Sequence, residues 1–438
     1  MTRRIACKFG GTSLADADNI RRVAALVEAD PQRRFIVVSA PGKRHPKDKK
    51  ITDLLLLLHE TARNGLDFTS VLAIIRARFE EIRAALKVSF DLESEFAEIV
   101  QRVPLEESRD YAASRGEFLN GKLIASFLGA HFVDPAENIF FNEAGNLDEA
   151  RTYPALAASM SGAGRFLVPG FYGLDVAGRI KTFPRGGSDI TGAIVARAVE
   201  ADVYENWTDV GGLLMADPSI IKDAMPMREV TYLELRELSY MGAQVLHDEA
   251  VFPVRDPGIP INIRNTFDPD NPGTRIVPSR DPGGQPVVGI AGRKDFSAIH
   301  MSKAMMNRER GFGRRVLEIV ESYGLSFEHM PTGIDSLSLI IRTADLKPHR
   351  RNLIKDIQGL LKVDILNVFD NLALIAVVGT GMAYHCGIAS RIFTTLSDAG
   401  INIRLIDQGA SELTIIIGVE NRDFENGVRS IYKAFAPS

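Results

Sequence analysis

Three glycine-bearing segments in the first half of the chain carry the residue types that anion chemistry needs. The first is Lys8-Phe9-Gly10-Gly11-Thr12-Ser13, placed after a strand pattern and before a helical one. Adjacent glycines let backbone N–H groups approach an anion, and a following helix N-terminus adds partial positive charge. Lys8 supplies a full charge at the strand's carboxyl end, where open α/β sheets bind ligands. A tight turn with an exposed lysine is the plain alternative. The second segment, Phe183-Pro184-Arg185-Gly186-Gly187-Ser188-Asp189, repeats the design with an arginine, which grips carboxylate or phosphate in bidentate fashion. Asp189 then falls in a first helical turn, where helix capping is its simplest use. The third, Asn206-Trp207-Thr208-Asp209-Val210-Gly211-Gly212-Leu213, ends the strand pattern VYEN and offers hydroxyl, carboxylate and backbone to a nucleotide, or else forms an ordinary β-turn. Two cationic glycine turns in one sheet favour phosphate chemistry.

One decoy is rejected. Residues 116–122 fit G-x-x-x-x-G-K, but Leu123 stands where Ser or Thr would ligate magnesium, and no strand pattern precedes them. What is left there is Arg115-Gly116-Glu117, a carboxylate expected at a helix start, with a surface salt bridge as the alternative.

These residues need a scaffold. Alternating β-branched runs (5–9, 35–39, 166–168, 203–206) and helical stretches (17–29, 53–64, 189–198) predict a mostly parallel α/β sheet. Residues 65–110, charged and helically spaced, read as a helical insertion over one sheet edge. The 438 residues suffice for two or three domains. Lys plus Arg number 52 against 56 Asp plus Glu, a net charge of −4, so nothing draws the chain as a whole to nucleic acid or an anionic membrane. The longest aliphatic run, 54–58, is too short for a span. Two cysteines, Cys7 and Cys386, exclude a disulfide framework and suggest reduced thiols in the cytoplasm. Eight scattered histidines show no HExxH spacing and there is no C-x-x-C, so no protein-ligated metal is expected. After the Pro/Gly-rich stretch 278–286 the sequence repeats itself: residues 311–341 align without gaps to 387–417, each copy reading helix, glycine stop, strand, turn, strand.

Taken together, KFGGTS, RGE, GFYG, RGGSD and WTDVGG, with the duplicated C-terminal region, resemble the aspartokinases of the amino-acid kinase superfamily. Segments 237–247 (ELSYMGAQVLH) and 260–266 (PINIRNT) resemble aspartokinase segments that close the nucleotide side. The resemblance implies a three-layer, mostly parallel α/β sheet of the amino-acid kinase fold over 1–285, with the insertion 65–110. Two ferredoxin-like βαββαβ ACT domains would follow at 286–370 and 371–438. It implies ATP, with Mg2+ bound through the ATP phosphates, and L-aspartate as substrates. Lys8 would contact the transferring phosphoryl group, with Gly10, Gly11 and Ser13 on the ATP phosphates and Thr208 and Asp209 near ribose and base. Ser39, Thr52, Glu117 and Arg185 would bind aspartate, Arg185 taking its α-carboxylate and Glu117 its α-ammonium, while Asp189 organises Lys8. An amino-acid effector, lysine or threonine, would sit at Gly311, Phe312, Glu328, Thr332 and Asp335, in a turn at 328–335 with its counterpart at 404–411. A homodimer or larger assembly through the ACT domains is implied as well.

Two departures stand out. Leu214, Ser219 and Gln244 occupy positions where the family often has Tyr, Arg and Lys, and the insertion matches only a subgroup. The chemistry itself suits the residues. A side-chain carboxylate is ionised at neutral pH, so phosphorylating it needs no general base, only alignment and positive charge around the moving phosphoryl. Another carboxylate kinase such as glutamate 5-kinase, or a non-catalytic amino-acid sensor on the same fold, is the competing reading. The ACT repeats could also serve dimerisation alone.

Overall fold

The computed structural model describes residues 3–103, 109–184, 186–243, 246, 248–282 and 285–436. The chain divides into two compact units. The first comprises 1–213, 226–235 and 244–280; the second comprises 214–225, 236–243 and 281–438.

In chain order the first unit opens with β1 (Ile5–Phe9), α1 (Ala17–Ala29), β2 (Arg33–Val38) and α2 (Ile51–Arg63). Next come α3 (Thr69–Leu86), α4 (Leu92–Arg102), α5 (Arg109–Leu128), β3 (His131–Phe132), α6 (Pro135–Asn138) and α7 (Glu149–Ser159). Then follow β4 (Phe166–Pro169), β5 (Tyr172–Leu174), β6 (Ile180–Thr182), α8 (Gly187–Ala198) and β7 (Val203–Thr208). The unit closes with β8 (Glu229–Thr231), the start of α9 (Tyr232–Tyr240), α10 (Phe252–Arg255), β9 (Ile261–Asn265) and β10 (Thr274–Val277).

Eight strands form one sheet in the order β3-β4-β2-β1-β7-β9-β10-β8, parallel except where β10 meets β9. β1 lies in its interior, pairing with β2 and β7. Alternation along the strands sorts side chains to two faces. Cys7, Phe9, Ile36, Val38, Leu167 and Trp207 join the core built with α1 to α5, while Lys8, Tyr204 and Asn206 point to the opposite face, where α8 packs. Helix on sheet on helix gives three layers. The insertion forms α3 and α4, which bury Phe79 and Phe96 and pack on α1, α2 and α5.

α1 covers Ala17–Ala29 as its spacing predicts; a 3-10 turn, Thr12–Leu14, lies between it and the first glycine turn, and Asp16 caps the helix by accepting from Asn19 N–H. Sequence expectation and structure differ at one element. Arg115-Gly116-Glu117, expected at a helix start, lies in the middle of α5.

Under the sheet's interior strands sits a buried charge cluster. Glu205 on β7 accepts from Arg33 Nε at 2.7 Å and from Trp207 Nε1 at 3.0 Å, with Arg264 Nη1 at 3.5 Å. The Arg33 and Arg264 guanidiniums lie 5.2 and 4.5 Å from the Trp207 ring centre, and Phe9 stacks on the ring at 6.1 Å. Aromatic faces attract such cations, so the tryptophan's depth and orientation are fixed from several sides.

The second unit contains β11 (Gly289–Ser302), α11 (Phe312–Ser322), β12 (Ser336–Arg342), α12 (Thr343–Leu346), α13 (Arg350–Leu361) and β13 (Ile365–Val378). It ends with α14 (Ile388–Asp398), β14 (Leu405–Gln408), β15 (Thr414–Glu420) and α15 (Phe424–Phe435). Its antiparallel sheet runs β12-β11-β13-β15-β14. β11 and β13 are 14 residues each, and their pairing slips between Arg293 and Ala298, where Asp295 and Asn371 take positive φ. One half of each strand, with β12, α11 and α13, encloses a core around Ile299, Val316, Leu339 and Ile357. The other half, with β14, β15, α14 and α15, encloses a core around Ile290, Ile375, Ile417 and Ile431. The two repeats are thus ferredoxin-like modules joined through common strands. Gly311 and Gly387 cap the matching helices in the left-handed region. The first repeat's leading strand is reduced to isolated bridges beside β12, since Pro331 has no N–H to donate. No helix among the described residues is long and apolar enough to cross a membrane.

Removing one member of a buried ion pair leaves the other charge uncompensated, at a cost of about 3–5 kcal/mol. Glu205→Ala is therefore expected to destabilise the first unit by that amount. Urea unfolding followed by the emission of Trp207, the single tryptophan, measures it; a loss below about 1 kcal/mol would contradict the buried-charge account.

Candidate active site

The site grows from the carboxyl end of β1. Lys8 is 7% exposed, and its Nζ lies 2.5 Å from Asp189 Oδ1 on α8. Asn206 of β7 donates through Nδ2 to the same oxygen at 2.9 Å. Asp189 occupies the first turn of α8 without capping it; Gly186, at φ 79°, is the cap residue. The aspartate thus faces the strand lysine and not the helix's own amides. Gly10 follows, and its N–H donates to Trp207 O at 3.0 Å, joining the first motif to the third. A Cβ on Gly10 would stand 3.5 Å from Lys8 Nζ, so the ammonium lies beside the bare turn. Ser13 is buried and its hydroxyl meets Thr266 Oγ1 at 2.8 Å, while Thr266 N–H donates to Thr208 O. Lys8, Gly10, Gly11, Ser13, Asp189 and Thr208 are brought together by these contacts. An ammonium beside a bare glycine turn suits a polyphosphate.

A second set surrounds Glu117. α5 approaches the 39–42 loop closely at Gly116, where a Cβ would come within 2.9 Å of Ala40 Cβ. Burial pushes the Glu117 carboxyl up to about 8, against hydrogen bonds that favour its charged form, including one from Ala40 N–H. Its Oε2 is buried and has no hydrogen-bond partner among the described residues. Arg115, its neighbour, turns away: the guanidinium donates to Ser114 Oγ and lies among the Tyr111, Phe118 and Tyr172 rings. A buried carboxyl oxygen left open in this way has hydrogen-bonding capacity to spare for a ligand. Ser39, half-buried, accepts from Asn120 Nδ2 through its carbonyl at 2.7 Å. Thr52 lines a cavity of about 520 Å³ with Arg109, Asp110, Phe171, Phe183 and Pro184. Arg185 lies outside the described residues. Gly170 and Gly187 explain the GFYG and GGSD motifs, since a Cβ on either would collide with Ser188 or Phe171.

The remaining positions are less gathered. Thr208 Oγ1 donates to Asp209 Oδ1 at 3.3 Å, and Asp209 is exposed. Leu214 packs on the core of the second unit, Ser219 is exposed in that same unit, and Gln244 is outside the described residues. Contacts missed by sequence reasoning are Asn206, Thr266 and the Ala40 N–H. Asn206 and Thr266 sat inside motifs already noted, but nothing local marked their partners.

In the second unit, Gly311 caps α11 and Phe312 is buried in the adjoining core, leaving its main chain to offer. Glu328 is bonded by Tyr240 Oη and lies 3.4 Å from Arg342 Nε. Asp335 accepts from Met306 N–H through Oδ1 at 3.1 Å, and Thr332 is exposed.

This geometry can be set beside known proteins. A model of the amino acid kinase family matches residues 3–265, and an ACT domain model matches 375–435. Aspartokinase 3 of Bacillus subtilis is 38% identical over 443 residues, covering 98% of each chain. The crystal structure of Clostridium acetobutylicum aspartate kinase shares 46% identity at a TM-score of 0.92, covering 99% of this chain and 100% of that one. Escherichia coli aspartokinase III, solved with aspartate and ADP, shares 26% at 0.77, with 99% and 100% covered. Matched along nearly its whole length by such relatives, and by the family model over more than half of it, the chain belongs to the aspartokinase family.

Proposed function

We propose that the chain transfers the γ-phosphoryl group of ATP to the side-chain carboxylate of L-aspartate, giving 4-phospho-L-aspartate and ADP, the first step toward lysine, threonine and methionine. The observation that carries this reading is the buried Lys8–Asp189 pair beside Gly10. A carboxylate oxygen bonds to the γ-phosphorus as the bond to the β,γ-bridging oxygen breaks. Both reactants are anions, so the work of the site is to align them and to offset their repulsion. Lys8, held in place by Asp189, faces the transferring group; Gly10, Gly11 and Ser13 cradle the phosphates; Thr208 and Asp209 meet ribose and base. Mg2+ travelling with the nucleotide neutralises further charge on its phosphate oxygens. Ser39, Thr52 and Arg185 hold aspartate, Arg185 by its α-carboxylate, and the open Glu117 oxygen receives the α-ammonium.

The C-terminal modules take an amino-acid effector in this reading, with Gly311, Phe312, Glu328, Thr332 and Asp335 at its site, and they join copies of the chain into a homodimer or larger assembly. Support comes from Escherichia coli aspartokinase III, which has been solved with lysine and aspartate in a T-state. The reading places the working enzyme in the cytoplasm.

Loss of one preorganised donor costs about 3 kcal/mol, roughly a hundredfold in rate. Lys8→Ala is expected to lower kcat by at least that factor with an unchanged circular dichroism spectrum, and near-normal turnover would refute the role. Glu117 gives a pH signature. Below about 8 the free carboxyl is protonated and must lose its proton to receive an ammonium, so KM for aspartate should fall as pH rises from about 6.5 to about 8.5. Glu117→Gln should flatten that profile. Titrating lysine and threonine against initial rate tests regulation: one is expected to inhibit, and indifference to both would leave the modules a purely assembling role.

A further inference from the structure

The proposed reaction leaves the helical insertion without a task, yet one of its side chains bonds to the loop that touches the first glycine turn. Arg78 of α3 is 5% exposed. Its Nη1 lies 3.0 Å from Asp48 Oδ2, and its Nη2 donates to the Gly42 carbonyl at 2.8 Å. Gly42 in turn donates its N–H to the Gly11 carbonyl at 2.8 Å. The two glycine backbones touch: a Cβ on Gly42 would fall 2.5 Å from Gly11 C and O. Asp48 is itself fixed by the Arg44 N–H and guanidinium, and Arg44 Nη1 reaches Glu81 of α3 at 2.9 Å. A continuous run of polar contacts therefore leads from α3, through the 42–48 loop, to the peptide carrying Gly11.

We infer that Arg78 is a positioning residue for the phosphate-binding turn. The inference rests on the assignment of Gly10 and Gly11 to the nucleotide phosphates. Glycine amides stabilise phosphate only when held in advance, and a two-glycine turn has little stiffness of its own. Arg78 fixes the Gly42 carbonyl, which sets the loop, and the loop closes one side of the turn. A fork-shaped guanidinium spans the Asp48 carboxylate and the carbonyl at once; a lysine ammonium on a flexible stem does so less well.

The test uses the full chain and three variants: R78M, R78K and G42A. Calorimetry with Mg-ADP reads the turn without any acceptor, and steady-state rates give KM for ATP and for aspartate separately. R78M is expected to raise the ADP dissociation constant and the KM for ATP about fivefold or more; because the same loop carries Ser39 and the Ala40 N–H that meets Glu117, the KM for aspartate rises too, but by a smaller factor than the KM for ATP. R78K should fall between R78M and wild type. G42A should show the same selectivity with no charge altered, because its methyl group displaces Gly11 directly. Should R78M fail to fold, R78K and G42A decide the matter. Unchanged ADP affinity in those two, or equal rises in both KM values, would overturn the inference. A wild-type chain that binds Mg-ADP and leaves aspartate unphosphorylated would refute the proposed function alone, whereas one that binds no Mg-ADP would sink both.

Discussion

A single ammonium group, brought out of water onto an interior strand, is the constraint around which the first unit is organised. Burying a charge is unfavourable unless an opposite charge and hydrogen bonds meet it. Asp189 meets Lys8, Asn206 steadies Asp189, and α8 must therefore start where its first turn faces the end of β1. That start requires Gly186 in the left-handed region and Gly187 packed against Phe171. The motif glycines are thus consequences of where one cation sits. On the opposite face the Glu205 cluster holds Trp207, whose carbonyl secures Gly10. Each face of the sheet contributes one anchor to the same turn.

The scaffold was largely legible because its strands and helices bury one face each. The bounds of β1 and α1 follow the amphipathic pattern and its cap. α5 escaped for a physical reason: residues 111–121 are buried all round, so no polar stripe marks the helix and the RGE segment reads as a terminus. Candidate residues that belong to compact local motifs (Lys8, Gly10, Asp189) could be picked out one by one. Their partners could not, since Ser13–Thr266 and Glu117–Ala40 join segments far apart in the chain, and periodicity carries no information about such pairs.

Chain continuity also accounts for the least expected positions. The chain following the WTD motif passes from the first unit to the second after Leu213, and Leu214 packs against the second unit's hydrophobic core. A side chain drawn into that core is unavailable to a nucleotide, whatever its counterpart does elsewhere.

The two long strands of the C-terminal sheet have a further implication. Each of these strands runs 14 residues, through the mid-strand bulge, from one core to the other. Both cores draw on the same two strands, so cutting the chain to isolate one repeat would remove strand length that the other core packs against.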